Sequence, residues 1–495
     1  MTLSITPVRS RLNVATELLD AVVRRLGLDR PALASPHRGL ITYLDLLGRA
    51  NRVASVLTGE LSVRPGDRVI VLGGTTSDTV STLLGVLKAG GVAVPVDLAR
   101  GVPLDEILRH TEPTLVLAEN PETVPDIGVP VLGYGLGSDL ATRMSRQPHG
   151  FPAADTAADA PAVITFAAGK HPGPAVHRHA DLLDAATRFD RQALRLAADE
   201  CVVTDQHPAG QYGLTALLAV LHAGACAVLL PKVGAGELVG LIPRYRANVL
   251  LTDPDNYREL LGVPTTGALG GLRACVSGAG TLGKATWDAW YSRTGFRLVD
   301  AFGTNQLLCG VIISDPVTVR PGSVGQAAAG WQVRVLDSAG NACPPCAPGR
   351  LALRGPRTDG WVPTGDLAAV DAEGHVWLDG RTENLLAIGG YLVSPGVVET
   401  VLAQHPAVQE VAVLARRCAT NQGAAAEHDM LCAYVTLRPD APASVERLRV
   451  ELGHFAGSKL AGHEVPARIQ VVDSMPHTVS GVVDRPLLAE LIPYP

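Results

Sequence analysis

The stretch that decides the fold reads Gly380-Arg381-Thr382-Glu383-Asn384-Leu385-Leu386-Ala387-Ile388-Gly389-Gly390-Tyr391-Leu392-Val393-Ser394-Pro395-Gly396-Val397-Val398-Glu399. The glycine–arginine pair closes one pattern of strands, and a new pattern begins after it. Ser394 is suited to cap a helix, and Pro395 is suited to its first position because that position needs no N–H donor. The stretch therefore predicts a junction between two domains.

We expect a large domain over residues 1–380, a hinge at 381–384 and a small domain over 385–495. The chain has 495 residues, of which 47% are hydrophobic, so it can bury more than one core. Before the junction, strand-like runs alternate with helical ones, which is typical of an α/β fold of layered sheets and helices. The runs at 333–336 and 350–354 indicate a small barrel-like subdomain.

Composition excludes several classes of function. The net charge is −6, and no block of lysine or arginine favours nucleic acid or an anionic membrane. No apolar run reaches the roughly 20 residues of a membrane span, and the N-terminus lacks an apolar signal core. We therefore expect a cytoplasmic protein whose eight cysteines are thiols. Cys343 and Cys346 have metal-ligand spacing but no second pair, so we predict no metal site.

Two motifs carry a resemblance to a known family. The stretch quoted above and Gln211-Tyr212-Gly213-Leu214 resemble the adenylate-forming enzymes, which include acyl-CoA synthetases, adenylation domains and luciferases. The resemblance covers essentially the whole chain and is closest to the benzoate and aryl-CoA ligase branch. It implies a large N-terminal domain of several subdomains and a small, mobile α+β C-terminal domain.

The closing motif of that family departs from its pattern here. In the family a glycine is followed by a lysine whose ammonium reaches the substrate carboxylate during attack on ATP. In this chain Gly481 is followed by Val482, and valine carries no charge and donates no hydrogen bond. Removing one such preorganised donor typically costs about 100-fold to 1000-fold in rate.

The family's phosphate loop is changed as well. The corresponding segment runs from Thr165 to His179, and its hydroxyl positions hold Phe166, Ala168 and Gly169. The expected lysine is Gly173. Lys170 and His171 carry charge at shifted positions, so a rebuilt phosphate site and a solvated loop without a ligand both stay open.

The next family motif, aromatic-Gly-x-Thr-Glu, reads Phe302-Gly303-Thr304-Asn305-Gln306 in this chain. In the family its glutamate helps to hold magnesium. Gln306 keeps the shape of glutamate without the charge that magnesium prefers in its oxygen ligands. The resemblance therefore implies a weakened metal site.

Other parts of the family pattern are intact. The resemblance implies that Asp366 and Arg381 face the nucleotide ribose, although a structural ion pair at the domain junction is an equal alternative. It also implies that Gly389, Gly390 and Tyr391 line the tunnel for a phosphopantetheine arm.

The resemblance further implies a set of acyl-binding residues whose small side chains leave room for a planar group. Tyr212 has an alternative interpretation as an ordinary core aromatic. The predicted acyl-binding residues are Tyr212, Gly213, Ser277, Gly278, Ala279, Phe302, Gly303 and Thr304.

Cys309 stands where benzoate-CoA ligases carry a pocket histidine. A thiolate attacks thioesters readily, so we predict Cys309 as a nucleophile and His207, on a segment expected to face the same cavity, as its base. An inert buried Cys309 is an equal alternative.

These residues lead to one hypothesis and two alternatives. The hypothesis is an acyltransferase that moves a preformed, aromatic acyl group between CoA and an acyl carrier protein in natural-product biosynthesis, without ATP. It requires no cofactor, and the donor is an acyl-CoA or an acyl-adenylate. The alternatives are an ATP- and magnesium-dependent aryl-CoA ligase with a rebuilt ATP site, and a non-catalytic scaffold. A homodimer is compatible with the sequence.

Overall fold

The computed structural model divides into two compact units, residues 1–329 and 330–495. The described residues are 10–36, 38–167, 173–265, 267–337, 339–382, 385–388, 391–419, 427–438, 444–476 and 483–491. Residues 330–380, which we expected to close the large domain, thus group with the C-terminal residues. The hinge at 381–384 stays a prediction.

The first unit contains two sheets. One has the strand order β6-β5-β3-β4-β7-β8, and the other runs β15-β14-β13-β12-β11-β9-β10-β1-β2. The strands are β1 (Pro31–Ser35), β2 (Gly39–Thr42), β3 (Arg68–Leu72), β4 (Val92–Val96), β5 (Leu115–Ala118), β6 (Val131–Gly133), β7 (Pro161–Phe166), β8 (Pro174–Arg178), β9 (Cys201–Thr204), β10 (Cys226–Leu229), β11 (Val249–Thr252), β12 (Ala274–Gly278), β13 (Leu298–Thr304), β14 (Leu308–Ile313) and β15 (Gly325–Ala327).

Helices connect these strands and cover the sheets. The α-helices are α1 (Ala21–Leu26), α2 (Tyr43–Gly59), α3 (Ser77–Lys88), α4 (Leu104–Thr111), α5 (Asp139–Met144), α6 (His179–Phe189), α7 (Gln211–Ala223), α8 (Ala235–Arg244), α9 (Pro254–Leu260) and α10 (Lys284–Thr294). Within the described residues no helix is both long and apolar enough to cross a bilayer.

The main core of the first unit joins both sheets. One apolar cluster includes Val69 and Val71 of β3, Val276 of β12 and Val299 of β13, together with side chains of α2, α3, α6 and α7. Residues 212–221 of α7 are all buried, as expected of a helix that is apolar all round. Helix α7 is therefore enclosed between the two sheets.

The second unit is built from antiparallel strands and short helices. Strands β16 to β19 pair consecutively, β20 and β21 form a hairpin, and β22, β23 and β24 form a further sheet. The elements are β16 (Gln332–Leu336), β17 (Gly349–Arg354), β18 (Val362–Val370), β19 (His375–Arg381), β20 (Leu386–Ile388), β21 (Tyr391–Val393), α11 (Pro395–Leu402), β22 (Val408–Ala419), β23 (Glu427–Leu437), α12 (Val445–Gly457), β24 (Arg468–Val471) and α13 (Arg485–Leu491).

Helix α11 begins at Pro395, as the sequence predicts, but Ser394 does not cap it by the expected contact. The Ser394 hydroxyl donates to the backbone carbonyl of Asp379 instead. Later in the chain, Asp484 N donates to Pro476 O at 2.8 Å. Nη2 of Arg485 contacts both carboxylate oxygens of Glu399 at 2.7 and 2.9 Å. The contacts of Arg485 attach the start of α13 to α11.

The start of α2 yields a prediction about stability. Thr42 Oγ1 accepts from Asp45 N at 3.1 Å, and Thr42 N donates to Asp45 Oδ2 at 3.1 Å, which together form a capping box. Thr42→Ala removes the cap and should lower the free energy of unfolding by about 1 kcal/mol in urea denaturation. Thr58→Ala, inside the same helix, is the control and should change stability little, because alanine is a better helix former. Equal losses in both variants would contradict the prediction.

Candidate active site

The predicted acyl-binding residues meet at the carboxyl edge of the larger sheet. Strands β12 and β13 are parallel neighbours, with Ser277 opposite Asp300 and Gly278 opposite Ala301. Strand β9 ends at the same edge, and the loop after it leads into α7, which begins at Gln211. Ligands of α/β proteins commonly bind at such an edge.

Tyr212 and Gly278 form a tight contact at this edge. The Tyr212 hydroxyl donates to Val276 O at 3.1 Å, and its ring lies edge-on to Phe189 with centroids 6.1 Å apart. A Cβ on Gly278 would lie 2.5 Å from the Tyr212 ring. Tyr212 is 1% exposed, and burial raises its pKa well above the ordinary value. Its ring is therefore neutral and fixed within the main apolar core, as the core-aromatic alternative expects, and an acyl-binding role stays a prediction.

Two more predicted glycines lie where no side chain fits. A Cβ on Gly213 would lie 2.3 Å from the backbone oxygen of His207, and one on Gly303 would lie 1.9 Å from that of Leu308. Both neighbours are backbone atoms, so the clash is not relieved by turning a side chain. These glycines hold the loop before α7 and the turn between β13 and β14 in place.

The remaining acyl-binding candidates lie on the same strand ends. Ser277 is fully buried, and its Oγ has no hydrogen-bond partner among the described residues. Ala279 follows with a φ of 63°, a conformation that costs an alanine about 1 kcal/mol. Phe302 is half-buried at a register shift between β13 and β14, and Thr304 is buried.

Cys309 lies in the core of the first unit. It is 0% exposed and belongs to the apolar cluster around α7. Its Sγ contacts Ala301 O at 3.5 Å, and its backbone N donates to Thr215 Oγ1 at 3.1 Å. Burial raises the pKa of the thiol to about 12. At neutral pH the reactive thiolate is therefore almost absent.

Both ring nitrogens of His207 are engaged by backbone groups. Nε2 lies 2.9 Å from Gly73 O, and Nδ1 accepts from Ala209 N at 2.9 Å. Burial lowers the His207 pKa, with Asp97 opposing that effect and Arg100 adding to it. Within the described part of the chain no hydrogen bond joins His207 to Cys309. The nucleophile–base assignment stays a prediction that this geometry does not favour.

Arg100 is a neighbour of His207 that the sequence analysis missed. It ends a short turn after β4, and a Cβ on Gly210 would lie 2.7 Å from its Nη1. Burial lowers the pKa of its guanidinium, and Asp97 partly offsets that effect. The sequence feature that could have identified Arg100 is its position just after the apolar strand β4, where ligand-binding residues are common.

A hydrogen-bond network links the two altered phosphate motifs. Thr165 Oγ1 donates to Asn305 Oδ1 at 2.9 Å and lies 2.9 Å from His177 Nε2. Asn305 Nδ2 donates in turn to Thr165 O at 3.2 Å. Since the threonine hydroxyl donates to Asn305, His177 Nε2 must donate to Thr165. Burial lowers the His177 pKa to about 4, so the ring is neutral.

The resemblance assigns the segments that hold Thr165 and Asn305 to phosphate binding, and in this chain their polar groups bond to one another. Asn305 stands where the family motif has a threonine, and its amide is held by Thr165. Gln306 beside it is exposed and uncharged. In the described ranges, His, Cys, Asp and Glu side chains form no group of three or more suited to a metal ion. Gln306 lacks the anionic oxygen that the resemblance assigns to this position, so the weakened magnesium site stays a prediction.

Several predicted positions lie outside the described residues. These are Lys170 and His171 of the phosphate loop, Gly389 and Gly390 of the pantetheine loop, and Val482. Tyr391 begins β21, but its side chain is not among those described.

Asp366 and Arg381 lie opposite each other on β18 and β19 of the second unit. Arg381 Nη1 contacts Asp366 Oδ1 and Thr364 O, both at 3.2 Å. Asp366 is 8% exposed, whereas the Arg381 side chain is 45% exposed. The ion pair considered from the sequence is thus present, and the ribose-binding role stays a prediction.

Comparison with known proteins places these observations in a family. A model of the AMP-binding enzyme family matches residues 19–359, and one of the AMP-binding enzyme C-terminal domain matches residues 397–481. The chain is 27% identical to benzoate–CoA ligase of Thauera aromatica over 90% of both chains. It is 24% identical to 3-hydroxybenzoate–CoA ligase of Aromatoleum sp. (strain CIB) over 97% of both.

Comparison with solved structures also finds CoA ligases. Anthranilate CoA ligase AuaEII in complex with anthranoyl-AMP superposes with a TM-score of 0.85 at 25% identity over 99% of both chains. The chain therefore belongs to the AMP-binding enzyme family. Within it, its relatives are acyl-CoA and aryl-CoA ligases, which confirms the resemblance and the α/β fold. The relatives favour the ATP-dependent alternative over ATP-free transfer to a carrier protein.

The contact between Gly213 and His207 yields a second prediction. Gly213→Ala places a methyl group against a backbone oxygen and should lower stability by about 1–3 kcal/mol, as expected for overpacking. Gly236→Ala, near the start of α8, meets no atom within 4 Å and should be neutral or stabilising. Thermal unfolding of the two variants compares them directly. A Gly213→Ala protein as stable as the Gly236→Ala protein would refute the contact.

The burial of Cys309 yields a third prediction, which concerns the reactivity of its thiol. Iodoacetamide should leave Cys309 unmodified in the folded protein at neutral pH, because the thiol is buried and protonated. Cys346, which is exposed, should be alkylated under the same conditions. Peptide mass spectrometry reads both sites, and unfolding in guanidinium should make Cys309 reactive. Rapid labelling of Cys309 in the native protein would restore it as a nucleophile candidate.

Proposed function

We propose that this protein is an ATP-dependent ligase that joins an aromatic carboxylic acid to the thiol of CoA. The proposal is supported by the relatives, which include benzoate–CoA ligase and 3-hydroxybenzoate–CoA ligase, and by the buried Tyr212 ring that packs against Gly278 at the carboxyl edge of the sheet. A neutral aromatic wall beside small residues suits a flat, uncharged ring.

The reaction has two steps. The substrate carboxylate attacks the α-phosphorus of ATP, and pyrophosphate leaves with the electrons of the broken P–O bond. The CoA thiol then gives up its proton and attacks the acyl carbon, and AMP leaves. Tyr212 and Gly278 orient the ring in both steps, and Asp366 accepts hydrogen bonds from the ribose hydroxyls.

Arg381 acts through Asp366. Its guanidinium contacts Oδ1 of Asp366 at 3.2 Å, which fixes the direction in which the carboxylate accepts from a ribose. It also neutralises part of the negative charge near the phosphates. In this proposal Lys170 and His171 supply the positive charge that Val482 and Gly173 lack, and the first step is slow relative to the second.

A second candidate is the ATP-free transfer of an aromatic acyl group from CoA to an acyl carrier protein. Val482 and Gln306 favour it, because both replace a charged group that serves the ATP step in the family. In that case the carrier thiol attacks the acyl-CoA directly. An enzyme thioester on Cys309 is not needed, and its burial speaks against one.

Product analysis distinguishes the candidates. The protein is incubated with benzoate or hydroxybenzoates, ATP, magnesium and CoA, and AMP and aroyl-CoA are measured. The ligase proposal expects both products in equal amounts, with a loss of about 100-fold in Asp366→Asn. Acylated carrier from benzoyl-CoA without ATP would support the second candidate. No product in either assay would leave a non-catalytic scaffold.

Restoring the missing charge gives a sharper test. Val482→Lys should raise the rate of pyrophosphate release by about 100-fold to 1000-fold, because an ammonium again stabilises the charge of the adenylation step. Val482→Met has similar length without charge and should not raise it. The thioester-forming step, started from synthetic benzoyl-AMP, should change little in either variant. Equal rates in the lysine and methionine variants would contradict the assignment of position 482.

A further inference from the structure

Two cysteines stand at the first positions of neighbouring strands. The predicted site residues lie at the opposite end of those strands. Cys201 is the first residue of β9 and Cys226 the first residue of β10, and the two strands are parallel. Their Cα atoms are register partners. The pair therefore lies at the amino edge of the sheet, whereas the candidate site lies at the carboxyl edge.

The two thiols point to the same face of the sheet. Cys226 lies with Val203 and Val228 in one apolar cluster, and Cys201 packs against that cluster. Register partners on adjacent strands are about 4.8 Å apart, which lies within the Cα separation of about 4.4–6.8 Å that a disulfide spans. The backbone thus places the two Cα atoms within the separation that a disulfide requires.

The pair combines one accessible and one sheltered thiol. Cys201 is partly exposed, whereas Cys226 is 8% exposed. The neighbouring Cys226 thiol lowers the pKa of Cys201, and the Cys201 thiol together with burial raises the pKa of Cys226. Cys201 is therefore the first of the two to form a thiolate. A reactive thiol beside a resolving thiol is the usual arrangement of a redox-sensitive pair.

We propose that Cys201 and Cys226 form an oxidisable dithiol that responds to peroxides. The Cys201 thiolate attacks one oxygen of hydrogen peroxide, the O–O bond breaks, and the departing hydroxide takes up a proton to become water. The Cys226 sulfur then attacks the sulfenic acid of Cys201, forming the S–S bond and releasing a second water. Two thiols and one peroxide thus yield one disulfide and two waters.

Oxidation would join β9 to β10 at the edge away from the candidate site. Substrate-binding groups are not altered, so the disulfide acts on the stability of the sheet rather than on the chemistry. The inference does not depend on the proposed function, because it concerns different residues.

Peroxide oxidation of the full-length chain tests the proposal. A Cys343→Ser, Cys346→Ser background removes the other closely spaced pair. The reduced protein is treated with one equivalent of hydrogen peroxide, alkylated and analysed by intact and peptide mass spectrometry. The expected result is loss of the mass of two hydrogen atoms and a peptide pair linked through Cys201 and Cys226.

Single variants separate the two roles. In Cys226→Ser the link should be lost, and dimedone should trap a sulfenic acid on Cys201. In Cys201→Ser both signals should be absent, while Cys275→Ser, which alters a fully buried thiol on another strand, should behave like the parent. Circular dichroism checks that each variant is folded. Oxidation of Cys201 straight to sulfinic acid in the parent, or a linked peptide that involves another cysteine, would overturn the proposal.

Discussion

The burial of α7 between the two sheets is the constraint on which the first unit depends. Its residues 212–221 are all buried, so the helix cannot shift without moving both sheets. Its first turn carries Tyr212 and Gly213 into contact with β12 and with the loop that follows β9. The geometry of the candidate site is thus a consequence of core packing. This explains why a side chain on Gly213 would meet a backbone atom rather than an adjustable side chain.

Uncharged residues, among them Gly173 and Gln306, stand at positions that the resemblance assigns to phosphate and magnesium. The structure shows how the polar groups near them are paired. Thr165, His177 and Asn305 satisfy one another's hydrogen bonds in a neutral network. A closed neutral network is stable when buried, because every polar group has a partner. It also leaves little to offer an incoming anion. The network is the feature of this chain that fits least well with efficient use of ATP.

The fold class could be predicted from the sequence because each helix or strand is marked by residues that lie close together in the chain. The glycine–arginine stretch, the proline at the start of α11 and the apolar runs of β3 and β4 each mark an element within a few residues. The network between Thr165 and Asn305 was out of reach, because 140 residues separate its members. The burial of Cys309 was equally hidden, since a small thiol between apolar residues suits a pocket as well as a core. For Ser394 the sequence predicted the helix that follows but not the hydrogen bond of its hydroxyl. The acceptor, Asp379 O, belongs to β19, a strand that the sequence pattern does not link to Ser394.

The contacts around the closing motif have a consequence for engineering. The bond from Asp484 N to Pro476 O joins the two flanks of residues 477–482, and Arg485 holds the following helix to Glu399. Because Pro476 and Asp484 are already hydrogen-bonded, replacing the residues between them by an equal number should not change the entropy cost of bringing these two residues together. Homologous segments from working ligases are therefore expected to transplant here with little disturbance of the surrounding domain.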